Sequence, residues 1–418
     1  MVEPESKTVT LQDLSVISDA IGALRVGPAV LAKGAHSGPL AGYRLVVKDV
    51  IDVAGQKTGA GNPMFLADAP IAAVHAPAVA RLLAAGATVI GKAHTDEFAF
   101  SLSGTNVHYG TPVNSRAPGR IPGGSSSGPA AAVAGGLAEI GLATDTGGSI
   151  RIPAAYCGIM GFRPTHGRVP TSRIIPLAPS FDTIGLLAID GPTLHAAGKA
   201  LLQTTSCTRS DFGHLVVADD LLVHADPEVA TAVLHAIRFL SDILGVTVER
   251  TAVTNGQLTK WVTAFQQRQF AEAWATHGAW IESRQPDLGP GIRSRFDKAA
   301  LTHNHLPIEE FELLREHVCK TALAALGPGG ILALPSAPTL APRLNESAHF
   351  KQELRDRTLA LTCIAGLGGL PAISLPLGDV DGLPVGVCLL AQRGEDELLL
   401  AAAATIDPMT QHPPVNQH

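Results

Sequence analysis

Charge is what this sequence has little of. Charged residues make up 16% of its 418 positions, and no run of lysines or arginines occurs. The formal net charge is −6 at pH 7. Nucleic acid and anionic membranes both call for a basic face, so neither is expected as a partner. Cysteine is scarce too: there are five, an odd number, with no CxxC spacing. That argues against a disulfide framework and a zinc site, and it suits a reducing, cytoplasmic location. Long apolar runs are also missing. The candidates are interrupted by Glu139, by Pro335 and Pro338, or by Gly366, Gly368 and Gly369, so no membrane-spanning helix is expected. The opening segment MVEPESKTVTLQDLSVISDA is acidic and lacks the apolar centre of a signal peptide.

Apolar residues, by contrast, reach 46%, ample for a buried core. The 43 glycines and 30 prolines are spread along the chain, which reads as many tight turns between short elements. Strands are read at 43–48, 87–91, 139–144, 214–218, 245–249, 330–335, 371–376 and 385–391. Helical periodicity marks 75–86, 226–243, 256–283, 307–326, 351–365 and 395–406, and PAAAVAGG at 129–136 opens a further helix. Residues 101–128, rich in Ser, Gly, Asn and Pro, read as a long loop. Strands alternating with helices imply an α/β fold, its sheet covered by helices on both faces. No linker divides the chain, so a single domain over 1–418 is expected, with the helical stretch 256–326 as a cap over one side.

Several short patterns compete for a functional reading. Residues 123–128, GGSSSG, sit inside the most hydrophobic part of the chain and precede an apolar helix, which a flexible linker would not do. Residues 86–93, GATVIGKA, approach a phosphate-binding GxxxxGK[ST], but Ala93 stands where a hydroxyl is required and Thr88, Val89 and Ile90 look like a strand. Lys92 then reads as an ordinary strand-end lysine. Gly124–Gly128 also fit G-x-S-x-G, with Ser126 as the nucleophile of an elbow. The preceding PVNSRAPGRIP carries three prolines and cannot be the central strand that an elbow needs. His303 and His305, beside Pro307, lack partners at metal spacing and read as a polar loop. Trp261, Phe265, Trp274 and Trp280 fall at roughly helical spacing, as core packing or as the lining of an apolar pocket.

The segment Thr144-Asp145-Thr146-Gly147-Gly148-Ser149-Ile150-Arg151-Ile152-Pro153 is different. Glycine permits backbone angles that turn successive N–H groups into one concavity. Such a nest stabilises a developing oxyanion, each donor contributing roughly 3–4 kcal/mol in a transition state. A serine at its end is placed to attack the same carbonyl. A tight turn with an incidental serine is the competing reading.

Taken together, these segments resemble the amidase signature family, which carries GGSSGG, an alanine-rich helix and then GxxTDTGGSIRxPAxxCGxxGxxP. Here Gly123-Gly124-Ser125-Ser126 is followed, 24 residues after Ser125, by Ser149 within TDTGGSIRIPAAYCGIMGFRPTHG. Lys48 stands in VVKDVIDVAG, and GKAHTDEFAFSLSGTNVHYGTPVN, SFDTIGLLA, LPAISLP and GLPVGVCLLAQRGEDELLL are similar to further family segments. The resemblance runs from about residue 40 to 405 and is weakest over 200–330. Within the family the chain is similar to short plant-type amidases, the indole-acetamide hydrolases, and their bacterial relatives. It departs from the usual pattern at Ser127, which replaces a glycine, and at Pro129, where Ser or Ala is usual.

The resemblance implies a large mixed, twisted central sheet and a catalytic core segment at 40–190. It also implies a Ser–Ser–Lys triad: Ser149 as nucleophile, Ser125 as a bridging serine in a cis peptide, and Lys48 as base. The backbone N–H groups of Thr146, Gly147, Gly148 and Ser149 would hold the oxyanion, with Ser126, Asp145 and Arg151 in support. The implied reaction is hydrolysis of a small carboxamide to an acid and ammonia or an amine, through an acyl-serine. Its partners are the amide and water, with no cofactor and no metal, and a homodimer is allowed. The alternatives are an ester or ureide hydrolase using the same triad, and a glutaminase-type subunit of a tRNA-dependent amidotransferase. Lys48 can act as base only when neutral, so burial must lower its pKa from about 10.4.

Overall fold

A computed structural model describes residues 18–204, 212–302, 304, 306–327 and 329–406. Most of the leader segment, His303 and His305 lie outside the described residues. The strands are β1 Leu24–Val26, β2 Arg44–Lys48, β3 Thr88–Ala93, β4 Ile140–Asp145, β5 Met160–Arg163, β6 Thr183–Ala188, β7 His214–Ala218, β8 Thr247–Thr251, β9 Gly330–Pro335, β10 Ala372–Val380 and β11 Leu383–Leu390. They form one sheet in the order β1-β3-β2-β4-β6-β5-β10-β11-β9-β7-β8. β2 is parallel to β3 and β4, and β7 to β8 and β9. The remaining neighbours are antiparallel, so the sheet is mixed.

Every residue of β4, β5, β6 and β9 is buried. Alternate strand side chains point to opposite faces, so both faces of the sheet are covered, and helices do the covering. β8 differs. Its TVERT is largely exposed and sits at one edge, where Glu249 and Arg250 discourage pairing with another chain.

Most expected elements are present, and the differences have local causes. The strand expected at 245–249 begins two residues later, because Gly245, at φ 68°, caps the helix Pro227–Leu244. The helix expected at 351–365 spans Ala348–Gly368, since Ser347 Oγ accepts the Phe350 N–H (3.1 Å) and starts it early. β1, β5 and β6 are additions. β1 has only three residues, and the continuous apolar run of β6 carries no alternation to read. Lys92 is not an ordinary strand-end lysine. It is fully buried in β3, 2.6 Å from Ile51 O, 2.9 Å from Thr58 Oγ1 and 3.2 Å from Asp49.

The helices Leu258–Arg284, Pro290–Thr302 and Ile308–Leu326 occupy the stretch expected to be helical. Residues at 289–295 form one wall of the main cavity. Trp261 and Phe265 are completely buried, and Phe265 stacks on Phe181 at 4.4 Å.

Candidate active site

Two parallel strands end side by side and bring distant parts of the chain together. β2 ends at Lys48, and its register with β4, Val47 opposite Leu142, carries Lys48 to Thr144. Lys48 Nζ lies 2.9 Å from Thr144 Oγ1 and 2.8 Å from Ser125 Oγ. Both Lys48 and Ser125 are wholly shielded from solvent. Burial lowers the Lys48 ammonium to about 7, although the carboxylates of Asp96, Asp145 and Asp182 pull it upward.

Ser125 is held by the loop before the helix Ser127–Ala134, and the Gly124–Ser125 peptide is cis. Position 124 admits only glycine: a Cβ there would lie 2.5 Å from both Asp96 Oδ2 and the Gly104 nitrogen. Ser126 is completely buried, and its Oγ donates to Thr144 O at 3.2 Å. No strand precedes it, so an elbow centred on Ser126 has no support.

Ser149 follows the loop that leaves β4. Ser149 is 3% exposed and borders a small cleft with Thr146, Gly147, Ala99 and Phe100. Among the described residues no hydrogen bond within 3.5 Å links Ser149 Oγ to Ser125 Oγ. The nest is built differently from expectation in one respect. The Gly148 N–H already donates to Asp145 Oδ1 (3.0 Å), so it is not free to meet an oxyanion. The Ile150 N–H donates to the other carboxylate oxygen at 3.1 Å. Among the described residues, the N–H groups of Thr146, Gly147 and Ser149 make no hydrogen bond. Gly148 sits at φ 115°, which L side chains resist.

Asp145 organises this turn. It is fully buried between Arg151 (2.9 Å) and Arg163 (3.1 Å), and Arg163 also reaches the Asp145 and Phe181 carbonyls. Burial pushes the Asp145 carboxyl up, but the two guanidinium groups overcome this and hold it well below the usual range. Its contribution to stability is therefore present above about pH 4 and is lost as pH falls. Asp145→Asn is expected to destabilise the fold by roughly 3–5 kcal/mol at neutral pH, because it strands two buried cations. Denaturant unfolding measures this, and an unchanged midpoint would contradict it.

Sequence reasoning missed several partners. Thr144 contacts the lysine, and Arg163 shares Asp145. Asp182 accepts from Thr146 Oγ1 at 2.6 Å and from the Leu177 and Ala178 N–H groups. Thr362 Oγ1 donates to Gly147 O at 2.8 Å. Arg163 and Asp182 stood in the quoted GFRPTHG and SFDTIGLLA, but nothing in the chain order says what they touch. A cavity of about 500 Å³ adjoins the Ser149 cleft, and Ser101, Leu102 and Arg355 border both.

A shielded amine beside a serine, with a second serine at a turn of free N–H groups, is the equipment of a hydrolase for carboxylic-acid derivatives. A protein-family model described as Amidase matches residues 15–207 and 215–400, and the chain belongs to that family. It is 38% identical over 388 residues to "Amidase 1" of Oryza sativa subsp. japonica, covering 87% of this chain and 89% of that protein. It is likewise 38% identical over 396 residues to "Amidase 1" of Arabidopsis thaliana, covering 87% and 92%. A solved structure described as "Crystal structure of amidase" superposes with a TM-score of 0.79 at 29% identity, over 94% of this chain and 93% of that one. The chain is accordingly a hydrolase acting on amides. Among the described residues no helix is long and apolar enough to cross a membrane.

Proposed function

We propose that Ser149, Ser125 and Lys48 together hydrolyse a small primary carboxamide to the acid and ammonia. The observation that carries this reading is the 2.8 Å contact between a fully buried Lys48 amine and Ser125 Oγ. A neutral amine accepts the Ser125 proton, and Ser125 in turn takes the proton of Ser149. Ser149 Oγ then attacks the amide carbon. Catalytic hydrogen bonds often tighten only with substrate in place, which accounts for the open Ser149–Ser125 step. The oxyanion is met by the N–H groups of Thr146, Gly147 and Ser149. The proton held on Lys48 returns through Ser125 to the departing nitrogen, which leaves as ammonia. Water repeats the sequence in reverse on the acyl-serine. Ser126 supports the loop through Thr144 O, and Asp145 and Arg151 fix the turn.

The free thiols of Cys157, Cys319, Cys363 and Cys388 support a reducing, cytoplasmic setting. The helical stretch 256–326 acts as a cap, supported by the place of residues 289–295 in the cavity wall.

The pH profile tests the base. Lys48 is competent only when neutral, so kcat/KM is expected to rise with pH through about 7 and then level off. A rise continuing towards pH 10 would mean an ordinary, solvated lysine. A parallel panel of primary amides and their ethyl esters, run on the purified chain alone, separates an amidase from an esterase. It also tests whether a partner subunit is needed.

A further inference from the structure

We propose that Arg355, assisted by Arg295, forms an anion-binding subsite beside Ser149, and that the substrate is the monoamide of a short dicarboxylic acid. This rests on Ser149 as the nucleophile. Arg355, on the helix Ala348–Gly368, borders both the Ser149 cleft and the 500 Å³ cavity. It is 8% exposed, and its one side-chain hydrogen bond among the described residues goes to neutral Gln269 Oε1, at 3.3 Å. Arg295, half-buried on the helix Pro290–Thr302, lines the same cavity. Among the described residues neither arginine has a carboxylate within 4.0 Å.

The other buried guanidinium groups among the described residues are paired: Arg151 and Arg163 share Asp145. An unpaired, desolvated cation is costly, and a guanidinium has five donors to offer. No nearby carboxylate lies within 4.0 Å of the Arg355 or Arg295 guanidinium among the described residues. Asp96 Oδ2 accepts the Gly104 N–H, while the buried Asp96 Oδ1 has no hydrogen-bond partner among the described residues. Glu97 is held by Asn62, His108 and the Gly289 N–H. Asp356 meets Gln352. Burial first, and then the neighbouring Arg295, lowers Arg355 to about 9, against the pull of Asp356 and Asp96. Arg343 and Lys351 add to it. The cavity wall thus carries four cations against the single carboxylate of Glu97, in a chain whose net charge is −6. A planar carboxylate fits a guanidinium fork in two parallel hydrogen bonds. With ammonia as the leaving group, the recognised anion must sit on the acyl side. Because Arg355 borders both spaces, an anion held there lies where the cavity meets the Ser149 cleft, which suits a short acyl chain.

The experiment compares succinamic acid with butyramide, its neutral counterpart. In the unaltered enzyme kcat/KM is expected to favour succinamic acid by at least about tenfold, with the ratio collapsing by about 10–100-fold in Arg355→Gln and in Arg295→Gln. Reading a ratio cancels general damage, and the half-buried Arg295 provides a second variant if Arg355→Gln does not fold. Succinate binding to Ser149→Ala, followed by calorimetry, supplies a readout free of catalysis and should disappear when either arginine is also replaced. Equal or better turnover of butyramide, an unchanged ratio, or succinate binding that survives both replacements would overturn the subsite. Turnover that persists in Ser149→Ala would instead overturn the nucleophile, a separate failure.

Discussion

Ser149→Ala is expected to lower amide turnover by at least about ten-thousandfold while the protein unfolds at nearly the same temperature. The side chain lines the cleft, and its Oγ has no hydrogen bond to lose among the described residues, so the loss falls on chemistry rather than on folding. A fluorophosphonate should add one group to the unaltered chain, at Ser149 by mass spectrometry, and none to the variant. An adduct on Ser126 would contradict this. The structure argues against that outcome, because the Ser126 hydroxyl is buried and turned to Thr144 O.

Lys48→Ala is expected to cut acylation by roughly a hundredfold to ten-thousandfold, the usual worth of a positioned base. The amine is wholly buried, so its removal also relieves the cost of keeping it there, and the variant should stay folded by circular dichroism. Lys48→Met, closer in length and apolar, separates lost packing from lost base: it should keep stability and remain slow. Near-normal turnover by either variant would remove Lys48 from the mechanism. Addition of a small external amine should restore part of the Lys48→Ala rate if the missing function is proton acceptance.

Much of this was legible in the chain order. The α/β class followed from strand-like and helical runs in alternation. The residues at the centre of the site stood in segments whose glycines and serines made poor core and poor linker. What stayed hidden was which groups pair in space, both near and far along the chain. Gly148 looked like a donor to an oxyanion, yet Asp145, three residues earlier, takes its N–H. Lys92 looked like an ordinary strand-end lysine, yet it is fully buried next to the end of β3, and Asp49, Thr58 and Ile51 enclose it. The edge of β8 moved because a helix cap, not the apolar run, set where the strand begins.

By itself the sequence determined the fold class, the family, and which serines and lysine to examine, because those depend on local composition and on spacing along the chain. The tertiary structure alone decided that Lys48 is dry, that Asp145 serves two arginines, and that Arg355 borders the Ser149 cleft with no carboxylate within 4.0 Å among the described residues. Desolvation and charge pairing depend on which atoms lie within a few ångströms. The register of β2 on β4 and the placement of the helix Ala348–Gly368 settle that, and no short stretch of sequence encodes either one.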